Sequence, residues 1–356
     1  LIVQTQCQNQ PADTDPFSVF RARLDEQRVP FGGNLALTYR CNLRCCHCYG
    51  AGSTGGPELS ASRWNHLLDE VADAGCLFLV MTGGEPLLSA DFVDVYRHAV
   101  ERGILTTVFT NATLVDTGHL ELFRELPPQE VEVTVLGASP EVNDPLTGVK
   151  GSFDRMMTGV RRMLDAGVKV SLKTVAMRGN MDNVKAIQEL SKGLGLRYRL
   201  DGAVFPRLDG SKAPLDHRGK PADLVRLEME SPDRLAEWKA FYRRYGDCGE
   251  IDKVFMCDAA TTCFYLDPAG YLQPCVMTPG IRENAAAMGF REAWDKLGER
   301  VSGMVLPDDS PCRSCRLKGL CGYCPGFFAL ENGDETKASK FLCEFGQLRY
   351  DYLVEA

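Results

Sequence analysis

Cys41, Cys45 and Cys48 stand in the run YRCNLRCCHCYG with C-x3-C-x2-C spacing, and the chemistry open to this chain starts from them. Three thiolates can hold a four-iron cubane and leave its fourth iron without a protein ligand, able to take a substrate or cofactor. A cluster held by four cysteines is closed and suited to electron transfer. The chain has 15 cysteines, and others gather towards its end: Cys257, Cys263 and Cys275, then Cys312, Cys315, Cys321 and Cys324 in PCRSCRLKGLCGYCPG, then Cys343. One open set, with enough further thiols for two closed ones, points to redox chemistry of a radical kind. Taken alone, the repeated C-x2-C spacing also fits a pair of zinc ribbons. A second feature is the glycine pair in MTGGEPLL (81–88), where backbone groups can approach a ligand without a Cβ in the way.

These residues must be positioned by the elements around them. The segments LALTY (35–39), LFLVMTG (77–83), ILTTVFTNA (104–112), EVEVTVLGA (130–138), KVSLKTVAM (169–177) and LRYRLDGAVF (196–205) read as strands. Between them, 60–75, 91–103, 119–126, 153–167 and 184–195 read as helices, several stopping at a glycine. Strands alternating with helices predict an α/β fold with a parallel sheet and right-handed crossovers, open or curled into a partial barrel. In such folds ligands lie at the carboxyl ends of the strands. The cysteine loop follows the first strand and the glycine pair the second, so both belong to one rim.

The formal net charge of −8 argues against a nucleic-acid binder, which would carry a basic stripe. No apolar run approaches the roughly 18 residues of a membrane span, and the first residues show no signal-peptide pattern. Clustered C-x2-C spacings in such a chain read as metal ligation in a cytoplasmic protein rather than as disulfides.

The cysteine triad after the first strand, paired with GGEP after the second, resembles the radical S-adenosylmethionine (radical SAM) superfamily. The resemblance implies a partial (β/α)6 TIM-like barrel. It also implies a [4Fe-4S] cluster on Cys41, Cys45 and Cys48 whose open iron is chelated by S-adenosyl-L-methionine, giving on reduction a 5′-deoxyadenosyl radical that abstracts hydrogen from the substrate. Carried over residue by residue, the cofactor contacts are His47, where an aromatic residue is usual, then Gly83 and Gly84, with Glu85 in support. Thr134 stands in place of a ribose-binding serine, and Leu136 where an aspartate is more common. Asn111 and Lys173 end strands at the same rim.

The tail resembles the SPASM extension of that superfamily, a small C-terminal cysteine-rich iron–sulfur domain. Its interleaved pattern implies one auxiliary [4Fe-4S] cluster on Cys257, Cys263, Cys275 and Cys324. A second would lie on Cys312, Cys315, Cys321 and Cys343, making three clusters in all. Cys321 and Cys324 are separated by two residues where three are more frequent. The expected organisation is a leader segment (1–33), the barrel (34–205), a bridging segment (206–256) and the auxiliary-cluster domain (257–356). The bridge is expected to cross the barrel mouth and wall the substrate pocket. Within or beside it, Arg199, Asp201, Arg207 and Asp209 are candidates for rim salt bridges or substrate contacts, and Asp258, beside an expected cluster ligand, for an acid or base.

Members with this tail usually modify ribosomally made peptides or proteins by crosslinking, epimerisation or oxidation. Val276 stands where sulfatase-maturing members carry an aspartate, which disfavours that reaction. The implied partners are a precursor peptide, a separate leader-recognition protein, and an electron donor such as flavodoxin or ferredoxin. The alternatives are radical chemistry on a small-molecule or cofactor precursor, such as a tetrapyrrole, and a non-enzymatic metal scaffold or electron carrier. Cys7, Cys46, Cys76 and Cys248 are left over. Cys76 reads as a buried core thiol and Cys248 as a stray one.

Overall fold

The structure, a computed structural model, describes residues 16–52, 57–246 and 248–355. Six parallel strands form the barrel wall: β1 (Gly32–Ala36), β2 (Phe78–Thr82), β3 (Leu105–Thr110), β4 (Glu130–Thr134), β5 (Val170–Val175) and β6 (Arg197–Asp201). Each pairs in parallel with the next, so the chain lays them down in spatial order. Parallel neighbours need a crossover, and helices supply it. After α1 (Pro16–Glu26) these are α2 (Ala61–Asp73), α3 (Phe92–Glu101), α4 (Thr117–Glu125), α5 (Pro140–Thr147), α6 (Ser152–Asp165) and α7 (Val184–Gly193).

The helices seat themselves by periodicity. In α2 the buried residues are Trp64, Leu67, Leu68 and Val71, and in α3 Phe92, Val95, Tyr96 and Ala99, both spaced i, i+3, i+4, i+7. That spacing places one apolar stripe against the sheet. The six strands and five helices expected from the sequence are all present. Two helices were not expected. α1 occupies a stretch without a clear pattern, and α5 carries an internal proline, Pro145.

The bridging segment forms α8 (Pro221–Met229) and α9 (Pro232–Tyr245). These helices pack against the end of the chain, where Arg349 makes a bidentate ion pair with Glu228 at 2.8 and 2.9 Å. The start of the segment reaches the cysteine loop, through Leu208 N–H donating to the Tyr49 carbonyl at 2.9 Å.

The tail continues the barrel's own sheet. β7 (Cys263–Leu266) pairs in parallel with β1, and β8 (Tyr271–Gln273) and β9 (Glu283–Asn284) add antiparallel strands beyond it. The helices α10 (Ala285–Met288), α11 (Phe290–Ser302), α12 (Lys318–Cys321), α13 (Pro325–Asn332) and α14 (Lys340–Glu355) complete it. Phe264, Phe290 and Trp294 are fully buried at this junction, with Phe290 stacked on Trp294. Burial of each such side chain is worth about 1.5–3 kcal/mol, so barrel and tail are packed as one sheet with a shared core. Among the described residues no helix is long and apolar enough to cross a membrane.

Candidate radical and auxiliary cluster sites

The cysteine loop leaves the carboxyl end of β1 and folds back under the control of backbone bonds. Arg44 N–H donates to Thr147 O and Cys46 N–H to Leu146 O, so the end of α5 fixes the loop from one side. Cys41, Cys45 and Cys48 lie within one another's electrostatic reach. Burial raises the Cys45 thiol, and the charges of Cys48 and Cys41 raise it further. Arg207 works the other way at Cys48, where burial raises the thiol and the guanidinium partly offsets this. Cys46 turns away, its sulfur 3.7 Å from that of Met177 in a small apolar cluster.

The glycine pair also lets two rim loops pack closely. Gly83 has φ +138°, and a Cβ there would lie 2.2 Å from the Thr38 carbonyl oxygen. A Cβ on Gly84 would lie 2.2 Å from that of Arg40. Gly84 N–H donates to Thr38 O at 2.7 Å and Glu85 N–H to Arg40 O at 2.9 Å. The pair therefore lets the turn after β2 press against the chain that enters the cysteine loop. Side chains here would push the two rim loops apart.

Glu85 is fully buried and works as a hub. Its carboxylate accepts from Leu87 N–H at 3.1 Å, Thr110 Oγ1 at 2.6 Å and Asn111 N–H at 2.7 Å. Burial pushes it up to about 7, against the pull of those donors. Asn111 in turn donates through Nδ2 to Asn42 Oδ1 at 2.9 Å and approaches Cys41 Sγ at 3.9 Å. The ends of β2 and β3 and the cysteine loop are thus joined through two side chains.

Further round the barrel, Thr134 and Lys173 are register partners on β4 and β5. Lys173 Nζ lies 3.5 Å from Asp201 and 5.4 Å from the centre of the Phe109 ring. Arg199 holds Glu132 in a bidentate pair at 2.7 and 2.9 Å, so the charged residues of β6 make ion pairs across the sheet. Burial lowers His47 to about 4, with Lys173 and His217 adding to the shift, so its ring is neutral at pH 7. Its Nδ1 is enclosed and has no hydrogen-bond partner. Asp258, a candidate acid or base, instead accepts both bonds of Arg21 at 2.7 and 2.8 Å and anchors α1.

The tail thiols form two groups. Cys312, Cys315, Cys321 and Cys343 bear on one another electrostatically, the last two spanning α12 and α14. Lys318, only 1% exposed, sits among Cys312, Cys315 and Cys321 and donates to the Arg313 carbonyl at 3.0 Å. A buried ammonium among thiols suits an anionic cluster, because it offsets the charge that burial would otherwise penalise. Cys257, Cys275 and Cys324 form the other group. Cys263, at the start of β7, couples to Cys76, and its sulfur would be 3.7 Å from a Cβ placed on Gly32. Cys257, Cys275 and Cys324 thus bear on one another, and Cys263 bears on Cys76. Among the described residues no three of His, Cys, Asp or Glu converge tightly enough for a single metal ion. Cys248 is disulfide-bonded, against the expectation of a stray thiol, and Cys7 lies outside the described residues.

Lys318 and Arg207 are the charged residues that sequence reasoning did not connect to the thiols. Position offers a partial signal, since Lys318 falls inside the C-x2-C-x5-C run and Arg207 ends the strand-loop after β6. An open groove of about 1000 Å³ adjoins the rim, with Leu208, Asp209 and Lys212 on one wall and Glu331, Lys337 and Lys340 on the other.

The radical SAM superfamily profile matches residues 35–190. PqqA peptide cyclase of Ruegeria pomeroyi is 31% identical over 300 residues, covering 81% of this chain and 80% of the relative. The AdoMet-dependent heme synthase of Methanosarcina barkeri is 26% identical over 326 residues, covering 84% and 92%. In structure, SuiB of Streptococcus suis, solved with its precursor peptide SuiA, superposes with a TM-score of 0.72 at 18% identity, covering 94% of this chain and 83% of SuiB. The chain belongs to the radical SAM superfamily. It is an enzyme whose cofactors are a [4Fe-4S] cluster and S-adenosylmethionine.

Proposed function

We propose that this enzyme modifies a ribosomally synthesised peptide or protein, and that it carries two auxiliary [4Fe-4S] clusters besides the radical-generating one. The similarity to a peptide cyclase across barrel and tail together carries the reading. The groove beside the cysteine loop supports it, being open enough to admit an extended chain.

When bound, the first cluster and S-adenosylmethionine supply a 5′-deoxyadenosyl radical able to take hydrogen from a substrate. The chain's own residues bind and orient. Cys41, Cys45 and Cys48 hold the first cluster, and His47, Gly83, Gly84, Glu85, Asn111, Thr134 and Lys173 build the S-adenosylmethionine wall. Glu85 and Asn111 act by fixing the rim loops, while His47 is buried within electrostatic reach of Lys173. Cys257, Cys263, Cys275 and Cys324 would hold one auxiliary cluster. Cys312, Cys315, Cys321 and Cys343 would hold the other. An electron donor such as flavodoxin or ferredoxin, a cytoplasmic location and a separate leader-recognition protein complete the reading.

The second reading is a tetrapyrrole or other cofactor precursor, favoured by the heme synthase that matches over most of its length. To separate them, anaerobically reconstituted enzyme is given S-adenosylmethionine, reductant and either an iron porphyrin or short peptides encoded beside its gene. Release of 5′-deoxyadenosine rising with a peptide, together with a mass change in that peptide, is the expected result. Stimulation by the porphyrin with no response to any peptide would sink the peptide reading.

A further inference from the structure

Two cysteine sets meet at a short stretch of backbone, Cys321-Gly322-Tyr323-Cys324. Cys321 belongs with Cys312, Cys315 and Cys343, and Cys324 with Cys257 and Cys275. Gly322 has φ +65°, a left-handed conformation that turns the chain between them. Tyr323 fills the space so formed. It is 2% exposed and packs edge-to-face on Phe328 with ring centres 5.2 Å apart.

Packing alone would be served by phenylalanine. The Tyr323 hydroxyl is buried and has no hydrogen-bond partner. Buried polar groups are almost always bonded, so an orphan of this kind calls for a partner. The ionisable groups that bear on this phenol are the thiols of Cys312 and Cys321 from one set and Cys324 and Cys257 from the other. A phenol can donate, and the acceptors of an iron–sulfur cluster are its sulfurs.

We propose that Tyr323 donates its hydroxyl hydrogen to a sulfur of an auxiliary cluster and thereby raises that cluster's reduction potential. The inference rests on the reading that both tail cysteine sets hold clusters. A donor aimed at a cluster sulfur favours the reduced, more negative state, which is how hydrogen bonds tune such potentials. Tyr323 is a positioning residue here. It touches no substrate and transfers no electron.

The test replaces Tyr323→Phe in the fully reconstituted protein, removing one oxygen and little else. Iron content and a potentiometric titration of the reduced-cluster EPR signals are compared with the parent. Iron should stay at about twelve per chain, and the radical cluster's midpoint should not move. One auxiliary midpoint should become more negative, so that its reduced-to-oxidised ratio at fixed potential falls about tenfold, or about 59 mV for one electron. Two unchanged auxiliary midpoints would overturn the inference and leave Tyr323 a packing residue. A parent protein with about four irons would instead overturn the cluster reading, and this inference with it. If Tyr323→Phe itself lost iron, 3-fluorotyrosine at position 323 keeps the ring and strengthens the donor. It must then move one auxiliary midpoint positive, and no movement overturns the inference.

Discussion

The triad at the barrel rim and the thiols of the tail are gathered in opposite ways. Cys41, Cys45 and Cys48 come from one loop of eight residues, and Cys41 is exposed at the rim. The tail sets draw on residues far apart in the chain and interleave, with Cys312 and Cys321 buried beneath α14. A set within one loop needs only its two flanking loops to hold shape, and here those are the Gly83–Gly84 turn and the end of α5. An interleaved set ties distant segments, so ligation there would be coupled to folding of the tail.

Four variants probe this contrast, from the largest effect downward. Replacing Cys41, Cys45 and Cys48 together with alanine should abolish 5′-deoxyadenosine release and remove about four irons, while circular dichroism stays close to the parent. Loss of the folded signal as well would mean that the rim set is as coupled to folding as the tail.

Gly84→Val should come next. Its side chain would meet the Arg40 carbonyl, so the rim loops must separate. A displacement on that scale is expected to cost about 10²-fold in the rate of S-adenosylmethionine cleavage, with iron content retained. Parent-like turnover would show that the turn can move without harm.

The smallest contrast lies within the tail. Cys275→Ala should lower iron content and the thermal midpoint, while leaving S-adenosylmethionine cleavage largely intact. Cys263→Ala should retain more iron than Cys275→Ala, because Cys263 sits at the start of β7 beside Gly32 and bears electrostatically on Cys76. Equal losses from the two variants would make Cys263 a full ligand.

The rim was legible in the sequence because its signals are local. Thiol spacing, a glycine pair and strand periodicity each act over a few residues, and together they located the six strands, five helices and shared rim. The close approach that the glycines permit between the rim loops was not legible, since the clash at Gly84 involves Arg40, distant in sequence and brought close only by the pairing of β1 with β2. Glu85 likewise appeared as a support for its neighbour, whereas the fold makes it an acceptor for β3.

What the sequence determined by itself is the inventory: which thiols exist, how they are spaced, and in what order parallel strands and helices follow, although β1 runs over Gly32–Ala36 where 35–39 was expected. Tertiary structure decided which of them meet. The pairing of β7 with β1 joins the tail to the barrel sheet and sets Cys263 opposite Gly32, within electrostatic reach of Cys76. The packing of α12 on α14 brings Cys343 to Cys321 and encloses Lys318 and Tyr323 nearby. Spacing along the chain constrains a ligand set only while the backbone between its members is short. Once a long segment intervenes, the folded core sets the distance.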